Sequence, residues 1–268
     1  MKVHSLGYRT DLIFPAFDGE IIDRGDYLVI KTPSNPSFYW GNFLLFENPP
    51  QDEDNLRWPE LFAREVGQPP HILHEAYGWD TIQNKSGIIQ PFLDRGYQVE
   101  HSVVLTAMRE DLKLKSPPGF TFRQLRSEDD WMQSTENQVL CREPVFSEDG
   151  YRVFRQEQAK RYQEMVSGGL GAWFGAFSGN QLVGDLGIFC NGELARYQSV
   201  GTHPNFRRRG IAGTLVHKAA LYAFDHHNVE TLVIVAEADS PAQRLYQSIG
   251  FKFAEYQMGV WKADPEND

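Results

Sequence analysis

The sequence predicts an α/β (α+β) protein in two halves, each built of strands and helices. Three observations lead there. Short runs rich in β-branched and aromatic residues are interleaved with segments whose apolar residues repeat at helical spacing. Pro117, Pro118 and Gly119 interrupt the chain near its middle, so that Lys113 to Gly119 reads as an extended linker between a first half, 1–115, and a second, 116–268. Thr231-Leu232-Val233-Ile234-Val235-Ala236 is continuously apolar apart from its first residue, the pattern of a strand covered on both faces.

In the first half, Tyr27–Ile30 is a strand. Pro33 and Pro36 end it and break the regular pattern, and the aromatic stretch Phe38–Phe46 forms a second strand with Gly41-Asn42 as a turn or bulge. Trp58–Val66 is a helix with Pro59 in its first turn and Gly67 stopping it. His71–Leu73 is a short strand. Ser86–Arg95 is a helix interrupted by Pro91 and closed by Gly96, leading to a strand over Tyr97–Leu105. His71, His74 and Glu75 carry zinc-type donors, but no third His or Cys stands at a ligand spacing, and they read as polar residues at a strand end.

In the second half, Phe120–Leu125 alternates as a strand does. Helices come next over Asp129–Leu140 and Tyr151–Ser167. Leu170–Phe177 and Gln181–Phe189 are strands joined at Ser178-Gly179-Asn180, and Asn191-Gly192 turns the chain into another strand ending at Val200. From Ile211 the residues Ala212, Val216, Ala219 and Ala223 share one helix face. After the apolar strand, Asp239 or Ser240 caps a helix that begins with Pro241, and Gly250 ends it before a last strand, Phe251–Trp261.

One stretch organises this half. Between the strand ending at Val200-Gly201-Thr202 and the helix from Ile211 lie Arg207, Arg208, Arg209, Gly210 and, one turn in, Gly213 and Thr214. A helix N-terminus offers unpaired N–H groups and partial positive charge, and glycine lets the backbone approach a bulky anion. The combination describes a phosphate cradle. Arg207-x-x-Gly210-x-Ala212 resembles the pyrophosphate motif of the GNAT acetyltransferase superfamily. Asp239-x-x-Ala242-x-x-Leu245-Tyr246-x-x-x-Gly250-Phe251 is similar to the family's C-terminal motif, with Asp239 where Asn is commoner. The resemblance covers about Phe120–Trp261, where the element order also agrees with that fold. It implies a mixed, mostly antiparallel sheet flanked by helices.

The resemblance further implies an N-acetyltransferase that uses acetyl-CoA and a primary amine in direct attack. Val200, Gly201 and Thr202 would pair with the pantetheine arm. Arg207, Arg208, Arg209, Gly210, Ile211, Ala212, Gly213 and Thr214 would hold the diphosphate, with Asp239 and Ala242 also on the cofactor. Tyr246 would donate a proton to the departing thiolate, and Glu193, near the start of the strand feeding the site, is taken as the base; His203, Glu237 and ordered water are alternatives. A non-catalytic acyl-CoA sensor is the competing reading. A small amine, a peptide N-terminus and a lysine are all open as acceptors.

Bulk properties bound the rest. The formal charge of −10 opposes nucleic acid as the main partner. Cys141 and Cys190 have no metal spacing and suit a reducing compartment. Met1–Phe14 mixes polar and apolar residues, unlike a signal peptide, and no apolar run has membrane-span length. A cytoplasmic protein without a membrane partner is therefore expected. The first half reads as a degenerate copy of the second. Pro91-Phe92-Leu93-Asp94-Arg95-Gly96-Tyr97 parallels Leu245-Tyr246-Gln247-Ser248-Ile249-Gly250-Phe251, with Phe92 where the second copy has Tyr246.

Overall fold

The structure is a computed structural model that describes residues 1–113, 117 and 119–263. Leu114, Lys115, Ser116 and Pro118 of the expected linker lie outside the described residues. In chain order the elements are α1 (Leu6–Asp11), α2 (Pro15–Asp18), β1 (Glu20–Asp23), β2 (Tyr27–Lys31), β3 (Phe43–Phe46), α3 (Asp54–Glu65), β4 (His74–Trp79), α4 (Gln90–Leu93) and β5 (Gln98–Ala107). They continue with β6 (Thr121–Gln124), α5 (Glu128–Leu140), α6 (Glu148–Ser167), β7 (Gly171–Ser178), β8 (Gln181–Asn191), β9 (Leu194–Thr202), α7 (Ile211–His226), β10 (Thr231–Glu237), α8 (Pro241–Ser248) and β11 (Lys252–Ala263). This is the expected mixed α/β fold. Among the described residues no helix is long and apolar enough to cross a membrane.

The chain divides into two compact units. Unit 1 is Met1–Val104 with Ala236–Ala238 and Ala254–Asp268; unit 2 is Leu105–Val235 with Asp239–Phe253. The division differs from a single cut at 115/116. Most of the last strand groups with the first unit, because β11 pairs antiparallel with β4 from Met258↔Trp79 to Ala263↔His74. Linear composition marks a linker but carries no information about a strand that returns to another unit.

Unit 1 is a sheet in the order β1-β2-β3-β4-β11-β5. Its β2, β3 and β4 are buried on both sides. Tyr27, Val29, Leu44 and Phe46 pack with Trp58 and Phe62 of α3, while Leu28, Ile30, Phe43 and Leu45 pack with Tyr8 of α1. Trp58 lies flat on Phe46, with ring centroids 3.8 Å apart. The aromatics therefore make this unit's own core. Several expectations shift here. Phe38–Phe46 is not one strand, because a 3-10 turn occupies Tyr39–Gly41 before β3. Helix α3 begins at Asp54, which places Pro59 in its interior. The short α1, α2 and β1 carry too few residues to show a periodicity.

Unit 2 is a sheet in the order β10-β9-β8-β7-β6. Helix α5 starts with a capping box, in which the Ser127 hydroxyl accepts from Asp130 N and the Asp130 carboxylate accepts from Ser127 N. Ser147 caps α6 and Ser240, not Asp239, caps α8. Asp239 instead precedes the cap with φ 60°, a conformation that Asn and Asp tolerate best among side-chain-bearing residues.

The two units share an order of events. In each, an antiparallel strand pair (β2·β3, β8·β9) leads through a helix to a strand parallel to its second member (β3·β4, β9·β10). A short helix and a long strand come after it. The helix ends also agree: Tyr97 N donates to Phe92 O at 3.1 Å, and Phe251 N donates to Tyr246 O at 3.1 Å. Gly96 (φ 86°) and Gly250 (φ 115°) supply the left-handed turn between.

Candidate active site

The site starts with strand β9. On one side it runs parallel to β10 only through Leu194, Ala195 and Arg196, and the register stops at Arg196↔Val233 although β9 continues to Thr202. On the other side its register with β8 slips: Asp185 faces Gly201, while Gly187 faces Gln198. β9 therefore carries an extra residue, a bulge, and Ser199 occupies it with φ 52°. A bulge bends and twists its strand, so β9 turns away from β10. Backbone groups from Gln198 to Thr202 face a slot without a strand partner among the described residues. The slot lies at the carboxyl ends of two parallel strands, where α/β sheets place ligands.

Buried polar groups hold the bulge. Asp185 of β8 is fully buried and accepts from Ser134 Oγ at 2.5 Å, Asn137 Nδ2 at 2.6 Å, Gln138 Nε2 at 2.9 Å and Trp173 Nε1 at 3.0 Å. Burial raises its carboxyl pKa above the ordinary value, and the donors work against that rise. Gln138 also donates to the Ser199 carbonyl at 2.7 Å. Gly201 allows α5 to come this close, since a Cβ there would stand 2.7 Å from Gln138 Nε2. From α6, Arg155 Nη1 donates to Ser199 Oγ at 3.0 Å. The strand end is fixed as well: Thr202 O accepts from Cys141 Sγ at 3.3 Å and from Arg207 Nε at 3.2 Å. Cys141 and Cys190 are both free thiols.

The cradle comes directly after. Gly210 is the N-cap of α7 at φ 77° and offers no side chain to the first turn. The first intrahelical bond runs from Thr214 N to Gly210 O, so the N–H groups of Ile211, Ala212 and Gly213 point outward from the helix start without an intrahelical acceptor. Arg207, Arg208 and Arg209 are exposed around it. Arg207 leans back on Thr202, and Arg209 donates to Asn205 O at 3.2 Å and covers the Phe206 ring at 5.0 Å. The turn is thus braced by its own guanidinium groups while keeping their charge beside the helix N-terminus. Thr214 is buried; its hydroxyl donates to Gly210 O at 3.0 Å, a helix-internal bond.

Tyr246 lies on α8. Leu245 of that helix and Ile249 just after it lie 3.8 and 3.4 Å from where a Cβ on Gly213 would be, so the end of α8 packs on the first turn of α7. The Tyr246 ring is 5% exposed, and burial raises the pKa of its hydroxyl well above the usual phenol value. The hydroxyl has no hydrogen-bond partner among the described residues. Ala242, one turn earlier, is half-buried, and Asp239 is exposed.

Glu193 requires a correction. It sits exposed in the turn before β9, where its carbonyl accepts from Glu230 N and Thr231 N. At about 3.3 Å per residue it is roughly 20 Å along the strand from Ser199. The carboxylate stands at the opposite end of β9 from the slot and cannot serve as its base. His203 caps the 3-10 turn after β9, with Nδ1 accepting from Asn205 N at 3.2 Å. Glu237 ends β10 and is exposed. In unit 1, His74 bonds Asn42 O at 3.0 Å, and Glu75 accepts from the Tyr77 and Tyr97 hydroxyls.

Sequence reading passed over Ser134, Asn137, Gln138, Arg155 and Asp185. Most of them had a signal. Ser134, Asn137 and Gln138 form a polar stripe at i, i+3 and i+4 on the face of α5 that must be buried. Asp185 interrupts an otherwise apolar strand.

Residues 131–251 match the Acetyltransferase (GNAT) family. Among solved structures, the fold is similar to that of a functionally unknown conserved protein from Staphylococcus epidermidis, with 14% identity, 92% of this chain and 95% of that chain covered, and a TM-score of 0.75. It is also similar to a GCN5-related N-acetyltransferase from Kribbella flavida, with 13% identity, 96% and 93% covered, and a TM-score of 0.67. A tandem GNAT protein from the clavulanic acid biosynthesis pathway matches at 11% identity over 79% of this chain and 69% of that one, with a TM-score of 0.54. At these identities the likeness is one of fold. No curated protein matches the sequence.

Proposed function

We propose that unit 2, whose residues 131–251 match the Acetyltransferase (GNAT) family, transfers an acetyl group from acetyl-CoA to a primary amine. The observation that carries this reading is the splay of β9 from β10 after Arg196, which opens a slot between the Gly210 cradle and the strand. The residues present fit the cofactor. An uncapped helix start beside three arginines suits a diphosphate, the edge of β9 over Val200–Thr202 that β10 leaves without a strand partner suits the amides of a pantetheine arm, and Tyr246 keeps a hydroxyl in need of a partner.

When bound, acetyl-CoA supplies a thioester whose acyl carbon forms a C–N bond with the amine as its C–S bond breaks. A backbone N–H of the bulged strand would donate to the acyl oxygen. Tyr246, protonated at neutral pH and held further so by burial, would give its proton to the departing sulfur. Water takes the proton lost by the amine. A non-catalytic acyl-CoA sensor would need the cradle but not the Tyr246 hydroxyl.

Unit 1 is read as a degenerate copy without cofactor. Its β3·β4 pairing persists through Phe46↔Trp79 and is closed by Asp80 N donating to Phe46 O at 2.8 Å, so no slot opens. The helix after β3 starts with Glu53 and Asp54, whose charges repel a phosphate. Phe92 takes the place of Tyr246.

Calorimetric titration with CoA tests the cradle. Gly210→Val forces a β-branched side chain into φ 77°, which L-residues resist. The expected result is a loss of affinity of tenfold or more in a folded variant; undiminished affinity contradicts the assignment.

A further inference from the structure

We infer that the acceptor amine also carries a carboxylate, and that Arg155 receives it. The inference rests on the acetyltransferase reading of unit 2 and names its substrate class.

Arg155 is 7% exposed on the inner face of α6. The groups it hydrogen-bonds are neutral, and Glu143, whose carboxylate acts on the same Tyr151 hydroxyl, forms no ion pair with it among the described residues. Nη1 donates to Ser199 Oγ in the bulge, the Tyr151 hydroxyl lies beside the guanidinium, and Nε is buried without a hydrogen-bond partner. Among the described residues no carboxylate pairs with it. The nearby ion pairs lie on the exposed side: Arg152 holds Glu136 and Glu148, and Lys160 holds Glu157. Asp185, the buried acid behind the bulge, is engaged by Ser134, Asn137, Gln138 and Trp173 instead. Arg161 of α6 and Arg196 of β9 are also buried, at 5% and 7% exposure, which adds positive charge to the region.

A buried guanidinium without a counter-charge is expensive, and proteins tolerate it where a ligand supplies the charge. The guanidinium fork matches a carboxylate in geometry. Gln158, one turn along α6 and 2% exposed, has a carbonyl oxygen without a partner. It is an acceptor for an ammonium or amine hydrogen. Arg155 and Gln158 thus offer complementary recognition for the two ends of an amino acid, next to the bulged strand where the transfer is proposed. Free amino acids and the ends of short peptides share this chemistry.

The test compares acceptors that differ only in the carboxylate: phenylalanine, histidine, lysine and tryptophan, each beside its primary carboxamide and its decarboxylated amine, with diglycine and its amide as the peptide arm. Thiol release from acetyl-CoA is followed for the full chain and for Arg155→Met. The expected result is a kcat/KM for at least one carboxylate-bearing acceptor roughly tenfold or more above its amide, the scale of a charged hydrogen bond. That preference disappears in Arg155→Met while the variant still binds CoA. The choice of acceptor between free and peptide arms identifies the source. Amides or decarboxylated amines used as well as the acids overturn the inference.

A second readout needs no turnover. Arg155→Met removes a buried charge without a paired carboxylate together with one hydrogen bond to Ser199, so its melting temperature is expected to stay close to that of the native chain. The amino acids of the panel, added with CoA, should raise the melting temperature of the native chain and not of the variant. A destabilised Arg155→Met, or no shift with any carboxylate-bearing acceptor, makes Arg155 a structural residue and sinks the inference. Loss of CoA binding by the native chain would instead refute the acetyltransferase reading itself.

Discussion

Gln138 holds Ser199: its side-chain amide donates to the Ser199 carbonyl at 2.7 Å and so ties helix α5 to the bulge of β9. The same nitrogen reaches Asp185, which makes the amide a junction between the bulge and the buried carboxylate. Gln138→Leu leaves both oxygens short of a donor. The expected cost is about 1–3 kcal/mol of stability, the penalty for unsatisfied buried groups, together with reduced kcat/KM. Gly201→Ala should act on the same junction, since its Cβ would press on Gln138. Denaturant titration and steady-state kinetics check both; native turnover in both variants contradicts the role given to the bulge.

Tyr246→Phe keeps the ring against Phe251 and removes a hydroxyl that has no protein partner among the described residues. Stability should hold or rise, because no internal hydrogen bond is lost. Turnover should fall by roughly 10²-fold with CoA affinity kept, the scale of general acid catalysis. Undiminished kcat leaves Tyr246 as packing alone.

Asp130 gives unit 2 a stability term that depends on pH. It takes both nitrogens of the Arg123 fork at 2.6 and 2.7 Å and the backbone N–H of Arg126 at 2.8 Å. The Arg123 hydrogen bonds lead the causes that hold its carboxyl below the ordinary aspartate value, burial opposing them. A depressed folded pKa means stability fully present above the ordinary range near pH 4 and lost as pH falls through the folded value. Asp130→Asn should cost on the order of 1–2 kcal/mol at neutral pH, discounted because Arg123 is 40% exposed. The deficit should shrink in acid. An equal deficit at all pH values would assign the loss to the capping box.

Unit 1 should add no cofactor site. CoA titration of the full chain is expected to give one site per chain, because β3 and β4 stay paired where β9 and β10 part. A stoichiometry of two contradicts the degenerate reading.

Legibility from sequence differed between the halves for physical reasons. In the second half, long elements with clear stops, such as Ser240-Pro241 before α8 and Gly250 after it, made order and type readable. In the first, Phe38–Phe46 is aromatic throughout, and nothing in the pattern separates a 3-10 turn from a strand. The start of α7 at Gly210, with its arginines before it, was legible because those residues are local in sequence. Arg155, Gln138 and Asp185 come from α6, α5 and β8 and meet only in the folded unit. Glu193 stands far from the slot because closeness to β9 in sequence does not say at which end of the strand the slot lies.

The central claim is acyl transfer at the β9 slot, and acceptor-dependent thiol release from acetyl-CoA tests it most directly. The account predicts release that rises with amine concentration, matches the amine consumed, and falls sharply in Tyr246→Phe. CoA bound at the Gly210 cradle with no amine raising thiol release above the hydrolytic background would contradict it and leave a sensor in its place.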